Sequence, residues 1–220
     1  MAVEASQFAT RRAVGFLARL RSVRARNGWL GVARRVMVKA AGPLLAGWRR
    51  IVQHRNHVFM QEGPAQTGSA PPNLTVVRCD RLEDLAPELL ATMRSRFSPS
   101  SLEVDRWELG HGAVLWVGLI DGRLAGVSMS RRGDQFKCWF VPLRRHDVVI
   151  FRNRTLPDFR GRGLCPALMQ HVMFHELAGD GRAYVDCRVY NKPSIRSIEK
   201  AGFRRIATMK PLRRKDALGE

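Results

Sequence analysis

Apolar positions between residues 74 and 209 change period repeatedly, from two to about 3.6 and back again. Alternating or short β-branched runs predict strands over 74–78, 113–120, 124–130, 136–141, 148–155, 183–189 and 203–209. Helical spacing predicts helices over 82–96, 102–109, 165–178 and 193–201. Asp121 and Gly122, between two strand patterns, form a strong hairpin signal, because both residues tolerate the left-handed backbone that a tight hairpin turn requires. Strands that alternate with helices predict a mixed α/β class.

The first sixty residues follow a different pattern. Phe16, Leu20 and Val23 recur at helical spacing while Arg12, Arg19 and Arg26 occupy another face. Two further helical patterns follow, one through Leu30, Ala33, Val36, Met37 and Ala40 and one through Leu44, Trp48, Ile51 and Val52. Residues 61–73 are dense in Pro, Gly and Ser and carry no apolar period. The expected organisation is therefore a basic amphipathic helical extension over 1–60, a linker over 61–73 and a catalytic domain over 74–220.

Charge sharpens that division. Residues 1–60 hold twelve Arg or Lys against the single acid Glu4, so +11 of the formal net charge of +19 lies there. Such a segment attracts an anionic membrane surface, nucleic acid or an anionic substrate, and also fits a targeting peptide or a helical cap. Nucleic acid is not the expected partner, since interleaved aromatics and a recognised binding module are lacking. An apolar fraction of 45% with 26% charged residues argues against a disordered or membrane-spanning class. Cys79, Cys138, Cys165 and Cys187 are widely spaced without a C-x-x-C pair, which argues against a zinc knuckle or disulfide scaffold and for a reducing compartment. The expected location is the cytoplasm, peripheral on the inner face of the membrane.

The candidate chemistry begins at Thr155-Leu156-Pro157-Asp158-Phe159-Arg160-Gly161-Arg162-Gly163-Leu164-Cys165-Pro166, which joins a strand to a helix. Backbone N–H groups opened by glycine, together with the unsatisfied N–H groups of a helix start, can surround an anion at the positive end of the helix dipole; by itself the Arg-Gly-Arg-Gly stretch equally fits a solvated basic turn or a nucleic-acid contact. Downstream, Val185-Asp186-Cys187-Arg188-Val189-Tyr190-Asn191-Lys192-Pro193-Ser194 leads to Ala201-Gly202-Phe203. The first block resembles the acyl-coenzyme A loop of the GNAT superfamily of N-acetyltransferases, with Arg160, Gly163 and Cys165 in its places. The second resembles that family's strand, Asn, helix and Gly-Phe ending.

The resemblance implies a GNAT fold: a mixed, mostly antiparallel sheet splayed at the acyl-coenzyme A site and flanked by helices. It implies an acyl-coenzyme A site at Asn153, Thr155, Leu156, Arg160, Gly161, Arg162, Gly163, Leu164, Cys165, Asn191 and Ser194, with acetyl-coenzyme A as co-substrate and no metal. The implied reaction is direct attack of a primary amine on the thioester, the acceptor being a small molecule such as an amino sugar or envelope polysaccharide precursor. Protein N-terminal or lysine acetylation, and a catalytically silent fold that binds coenzyme A or a membrane, are the alternatives. Asp186 is the candidate base, at a position where relatives that acetylate protein N-termini place a Glu. Tyr190 is a candidate acid, because Ile198 stands where many relatives carry a Tyr. Arg152 and Arg154 face either an anionic acceptor or solvent.

Overall fold

The computed structural model describes residues 54–63, 70–212 and 214–219. The helices expected over 13–52 lie outside the described residues. Among the described residues seven strands form one sheet: β1 (Asn56–Glu62), β2 (Leu74–Cys79), β3 (Val114–Ile120), β4 (Arg123–Arg132), β5 (Val148–Thr155), β6 (Arg182–Arg188) and β7 (Arg204–Met209). The spatial order is β2-β3-β4-β5-β6-β1-β7. All neighbouring pairs are antiparallel except β5 with β6. The described residues also form the helices α1 (Pro87–Arg96), α2 (Pro99–Gly110), α3 (Leu164–Glu176), α4 (Lys192–Lys200) and α5 (Arg214–Leu218). This is the mixed α/β class, with a mostly antiparallel sheet flanked by helices, that the sequence predicts.

The hairpin between β3 and β4 turns where expected, with Asp121 at φ 51° and Gly122 at φ 71°, the paired positive φ values of a tight hairpin turn. Helix α3 packs on β3, β4 and β5. Its close approach depends on Gly126, where a Cβ would stand 2.6 Å from the Arg154 carbonyl oxygen and 3.0 Å from Leu164. The start of α3 is thereby held beside β5.

Two elements differ from expectation. Residues 56–60, assigned above to the extension, and 61–62, assigned to the linker, form β1, which pairs with β6 on one side and β7 on the other. Val58 and Phe59 are fully buried, as suits a strand covered on both faces. The strand expected over 136–141 is a loop. Its backbone is tied elsewhere: the N–H groups of Lys137 and Cys138 both donate to the Ala217 carbonyl, at 2.8 and 3.1 Å. Its apolar side chains Phe136, Trp139 and Val141 pack over Met60, Val149 and Tyr184 on one face of the sheet. Hydrophobic residues there serve side-chain packing instead of a ladder.

Candidate active site

The site begins where the parallel pairing of β5 and β6 stops. Val148, Val149 and Ile150 pair with Ala183, Tyr184 and Val185, and no pairing of these two strands continues beyond. A bulge drives the separation: Arg154 pairs with Val127 and Phe151 with Met129, so Arg152 and Asn153 together oppose Ser128 alone. Arg152 sits at φ 53°, a conformation that costs a non-glycine residue about 1–3 kcal/mol and persists only where its surroundings hold it. Asp105, fully buried on α2, supplies the hold. Its Oδ1 accepts from Arg152 Nε and its Oδ2 from Arg154, each at 2.5 Å. Ser101 accepts from both arginines as well. Arg152 and Arg154 thus clamp the bulge to α2, and each also lines one of the two clefts beside it. Ser128 Oγ donates to Asn153 Oδ1 at 2.7 Å and fixes the second bulge residue.

The separated strands border a cleft of about 300 Å³ lined by Phe151, Arg152 and Asn153 of β5 and by Val185, Asp186, Cys187 and Arg188 of β6, with Asn191, Ser194 and Ile198 beyond. A second cleft of about 560 Å³ shares Asn153, Cys165, Asn191 and Ser194 and runs along Thr155, Arg160, Gly161, Gly163 and Leu164 to Ser197 and Lys200. Nine of the expected coenzyme-site residues therefore line one continuous surface: Asn153, Thr155, Arg160, Gly161, Gly163, Leu164, Cys165, Asn191 and Ser194. Leu156 turns its side chain into the core and gives its N–H to the Ala125 carbonyl at 2.9 Å. Arg162 lies over the Phe159 ring, 5.5 Å from its centroid.

The loop suits an anion. Gly161 and Gly163 have φ of 78° and 77°, and a Cβ at either would meet no atom within 4 Å, so the backbone lies open on that side. Gly163 caps α3, whose first N–H groups have no preceding helical turn to bond. Arg160 donates to the Thr155 carbonyl at 3.3 Å, and Lys200, outside the glycine-loop motif, adds a second cation to the cleft. Lys200 ends α4, and only the fold brings it opposite the glycine loop. The residues present thus fit a pyrophosphate-bearing co-substrate.

Asp186 lies on the face of β6 opposite Val185 and Cys187, as strand alternation requires. Asn56 of β1 donates to its carboxylate. Tyr190 is 45% exposed in the turn after β6 and lines neither cleft. Ile198 is buried among Phe59, Trp116 and Phe203 while also lining the smaller cleft. Burial pushes the Cys165 thiol up to about 11 against a weaker opposing hydrogen bond from Ser197. Burial, then the charges of Asp186 and Glu199, push Cys187 up to about 12. Both thiols are thus held protonated near neutral pH, which disfavours them as nucleophiles.

The Asn56 contribution could not be read from the motif, because β1 precedes it by some 130 positions. The opposite face of the sheet holds a third cavity of about 270 Å³, which shares Asn56, Phe151, Asp186 and Arg188 with the cleft between the strands. Asp186 and Asn56 therefore border openings on both faces.

A splayed parallel pair beside a glycine cradle at a helix start is the arrangement that the resemblance to the GNAT superfamily implies. The chain belongs to the acetyltransferase (GNAT) family, whose model matches residues 82–203. No curated protein matches. Among solved structures, a GNAT-family acetyltransferase from Novosphingobium aromaticivorans is similar at 23% identity and TM-score 0.48, over 71% of this chain and 61% of that one. A GCN5-related N-acetyltransferase from Sphaerobacter thermophilus is similar at 13% identity and TM-score 0.45, over 82% and 63%. A tandem GNAT protein from the clavulanic acid biosynthesis pathway is similar at 16% identity and TM-score 0.47, over 77% and 57%. The chain spans less than two thirds of each of these proteins. Among the described residues no helix is long and apolar enough to cross a membrane.

Proposed function

We propose that this protein transfers an acetyl group from acetyl-coenzyme A to a primary amine. The observation that carries the reading is the position of Asp186, at the junction between the cleft that reaches the glycine cradle and the cavity on the opposite face. Acetyl-coenzyme A supplies the activated acyl group. The N–H groups of Gly163, Leu164 and Cys165, with Arg160 and Lys200, hold the pyrophosphate; Asn153 and Thr155 line the arm leading toward Asp186. The amine nitrogen forms the new N–C bond as the C–S bond breaks, the departing sulfur keeps the electron pair, and Asp186 takes the amine's proton. With Tyr190 outside the clefts and Ile198 apolar, the departing thiolate takes its proton from solvent.

The basic residues before β1 support work at an anionic membrane surface on the cytoplasmic side, which sedimentation with phosphatidylglycerol vesicles tests. The activity is tested by thiol release from acetyl-coenzyme A in the presence of small primary amines, amino sugars and peptides. Release that depends on an amine supports the proposal. Transfer confined to peptide N-termini or lysines favours a protein substrate, and binding without release across the whole panel favours a silent fold.

A further inference from the structure

A cavity of about 270 Å³ lies on the face of the sheet opposite α3. Phe136, Trp139 and Phe140 of the loop after β4, with Phe151 of β5, line it, and Pro211, Leu212 and Ala217 close it from the C-terminal segment. The rings are organised: Trp139 meets Phe140 and Tyr184 edge to face at 5.1 and 5.3 Å between centroids. The loop that bears them is fastened by the two hydrogen bonds to Ala217 and by Cys138 Sγ donating to the Asp216 carbonyl at 3.2 Å. Arg131, at the base, is buried with Glu108 at 2.8 Å and lies over the faces of Phe136 and Phe151. Its charge is matched inside the protein.

The polar end is made by Asp186, Asn56 and Arg188. Asn56 is only 8% exposed. Its Nδ2 donates to Asp186, while its Oδ1 is buried with no hydrogen-bond partner. A buried acceptor without a donor is costly and uncommon in native proteins. An amine beside Asp186 would supply the missing donor. At about 270 Å³ the cavity lies just under the usual range of small-ligand pockets, about 300 to 1,000 Å³, so it suits a small body and not a polymer.

We infer that the acceptor is a primary amine on a small aromatic body, held among Phe136, Trp139, Phe140 and Phe151, with Asn56 Oδ1 accepting one amine N–H while Nδ2 positions Asp186. Asn56 is a positioning residue for the base. The inference rests on Asp186 acting as the base.

The test uses the full chain with saturating acetyl-coenzyme A and follows thiol release with 2-phenylethylamine, n-butylamine, glucosamine and spermidine. The kcat/KM for 2-phenylethylamine should exceed the others at least tenfold, and Trp139→Ala should raise its KM about tenfold with little change for n-butylamine. Asn56→Ala should lower kcat at least tenfold and move the acid limb of the pH profile upward, since a hydrogen bond that favours the carboxylate is lost; acetyl-coenzyme A affinity should stay unchanged. Turnover without aromatic preference, or an unmoved acid limb in a folded Asn56→Ala protein, overturns the inference while the acetyltransferase reading stands. Binding of acetyl-coenzyme A without turnover of any amine overturns both. If Asn56→Ala does not fold, the amine series and Trp139→Ala decide.

Discussion

Ile150 of β5 and Val185 of β6 are the last paired residues of the parallel ladder, and the chains part immediately beyond them. The next residue of β6 is Asp186, and the next residues of β5 are Phe151 and the bulge at Arg152 and Asn153. The same break that opens the cleft therefore delivers the proposed base to its wall. Pairing energy is given up there, and the side chains around the break have to replace it.

Asp105 supplies much of that replacement, because one buried carboxylate holds both Arg152 and Arg154. Asp105→Asn should destabilise the fold by about 3–5 kcal/mol, as expected when one partner of a buried charge cluster is removed. It should also weaken acetyl-coenzyme A binding, since Asn153 rides on the same bulge. Urea denaturation and calorimetry report the two effects separately; a stable protein with native affinity would show that the bulge holds itself.

Phe59 tests where the domain begins. It is fully buried among Trp116, Ile150 and Val185 on a strand paired on both sides. Phe59→Ala should cost about 3–5 kcal/mol, and removing residues 1–62 should abolish cooperative unfolding of the remainder. A shift in the urea midpoint equivalent to under about 1 kcal/mol would return 56–62 to a dispensable extension.

Asp186→Asn removes the proposed base but retains the shape and a group that can still hydrogen-bond Asn56. The expected loss in kcat is about 10²–10⁴-fold, with acetyl-coenzyme A affinity preserved. A rate within threefold of the parent at every pH would assign the proton to water or another group.

The two partly buried thiols, Cys165 and Cys187, make a prediction at alkaline pH. Their folded values, about 11 for Cys165 and about 12 for Cys187, lie above the ordinary thiol value of 9. The protonated form is favoured by folding, so this stability is fully present below pH 9 and is lost as the pH rises toward 11 and 12. The urea midpoint of the parent should fall over that window, and that of a Cys165→Ala, Cys187→Ala double variant should fall less. Equal slopes would mean that neither thiol titrates with unfolding. At neutral pH the double variant should still turn over amine.

Much of this architecture is local and hence visible in the chain. The hairpin at Asp121 and Gly122, the glycine loop ahead of α3 and the alternation that turns Asp186 away from Val185 all depend on neighbours in sequence. What escaped depends on distant partners. The three apolar residues Val58, Phe59 and Met60 become a central strand only because β6 and β7 arrive more than 120 positions later. Phe136, Trp139 and Val141 carry an alternating pattern, yet their backbone finds Ala217 instead of a neighbouring strand. Asn56 and Lys200 reach the clefts by the same long-range route, as do the arginines that close on Asp105.

The central claim is that the loop from Arg160 to Cys165 holds the pyrophosphate of acetyl-coenzyme A. The most direct measurement is calorimetric titration of the full chain with acetyl-coenzyme A beside the Gly161→Asp variant. A Cβ at Gly161 meets no atom within 4 Å, and Asp tolerates the left-handed backbone better than most residues, so the variant should fold. Its added carboxylate would stand in the cradle and repel the phosphates. Binding by the parent, weakened tenfold or more in the variant (about 1.4 kcal/mol), is the expected result; a folded parent that gives no binding, or a variant that binds equally well, would contradict the assignment.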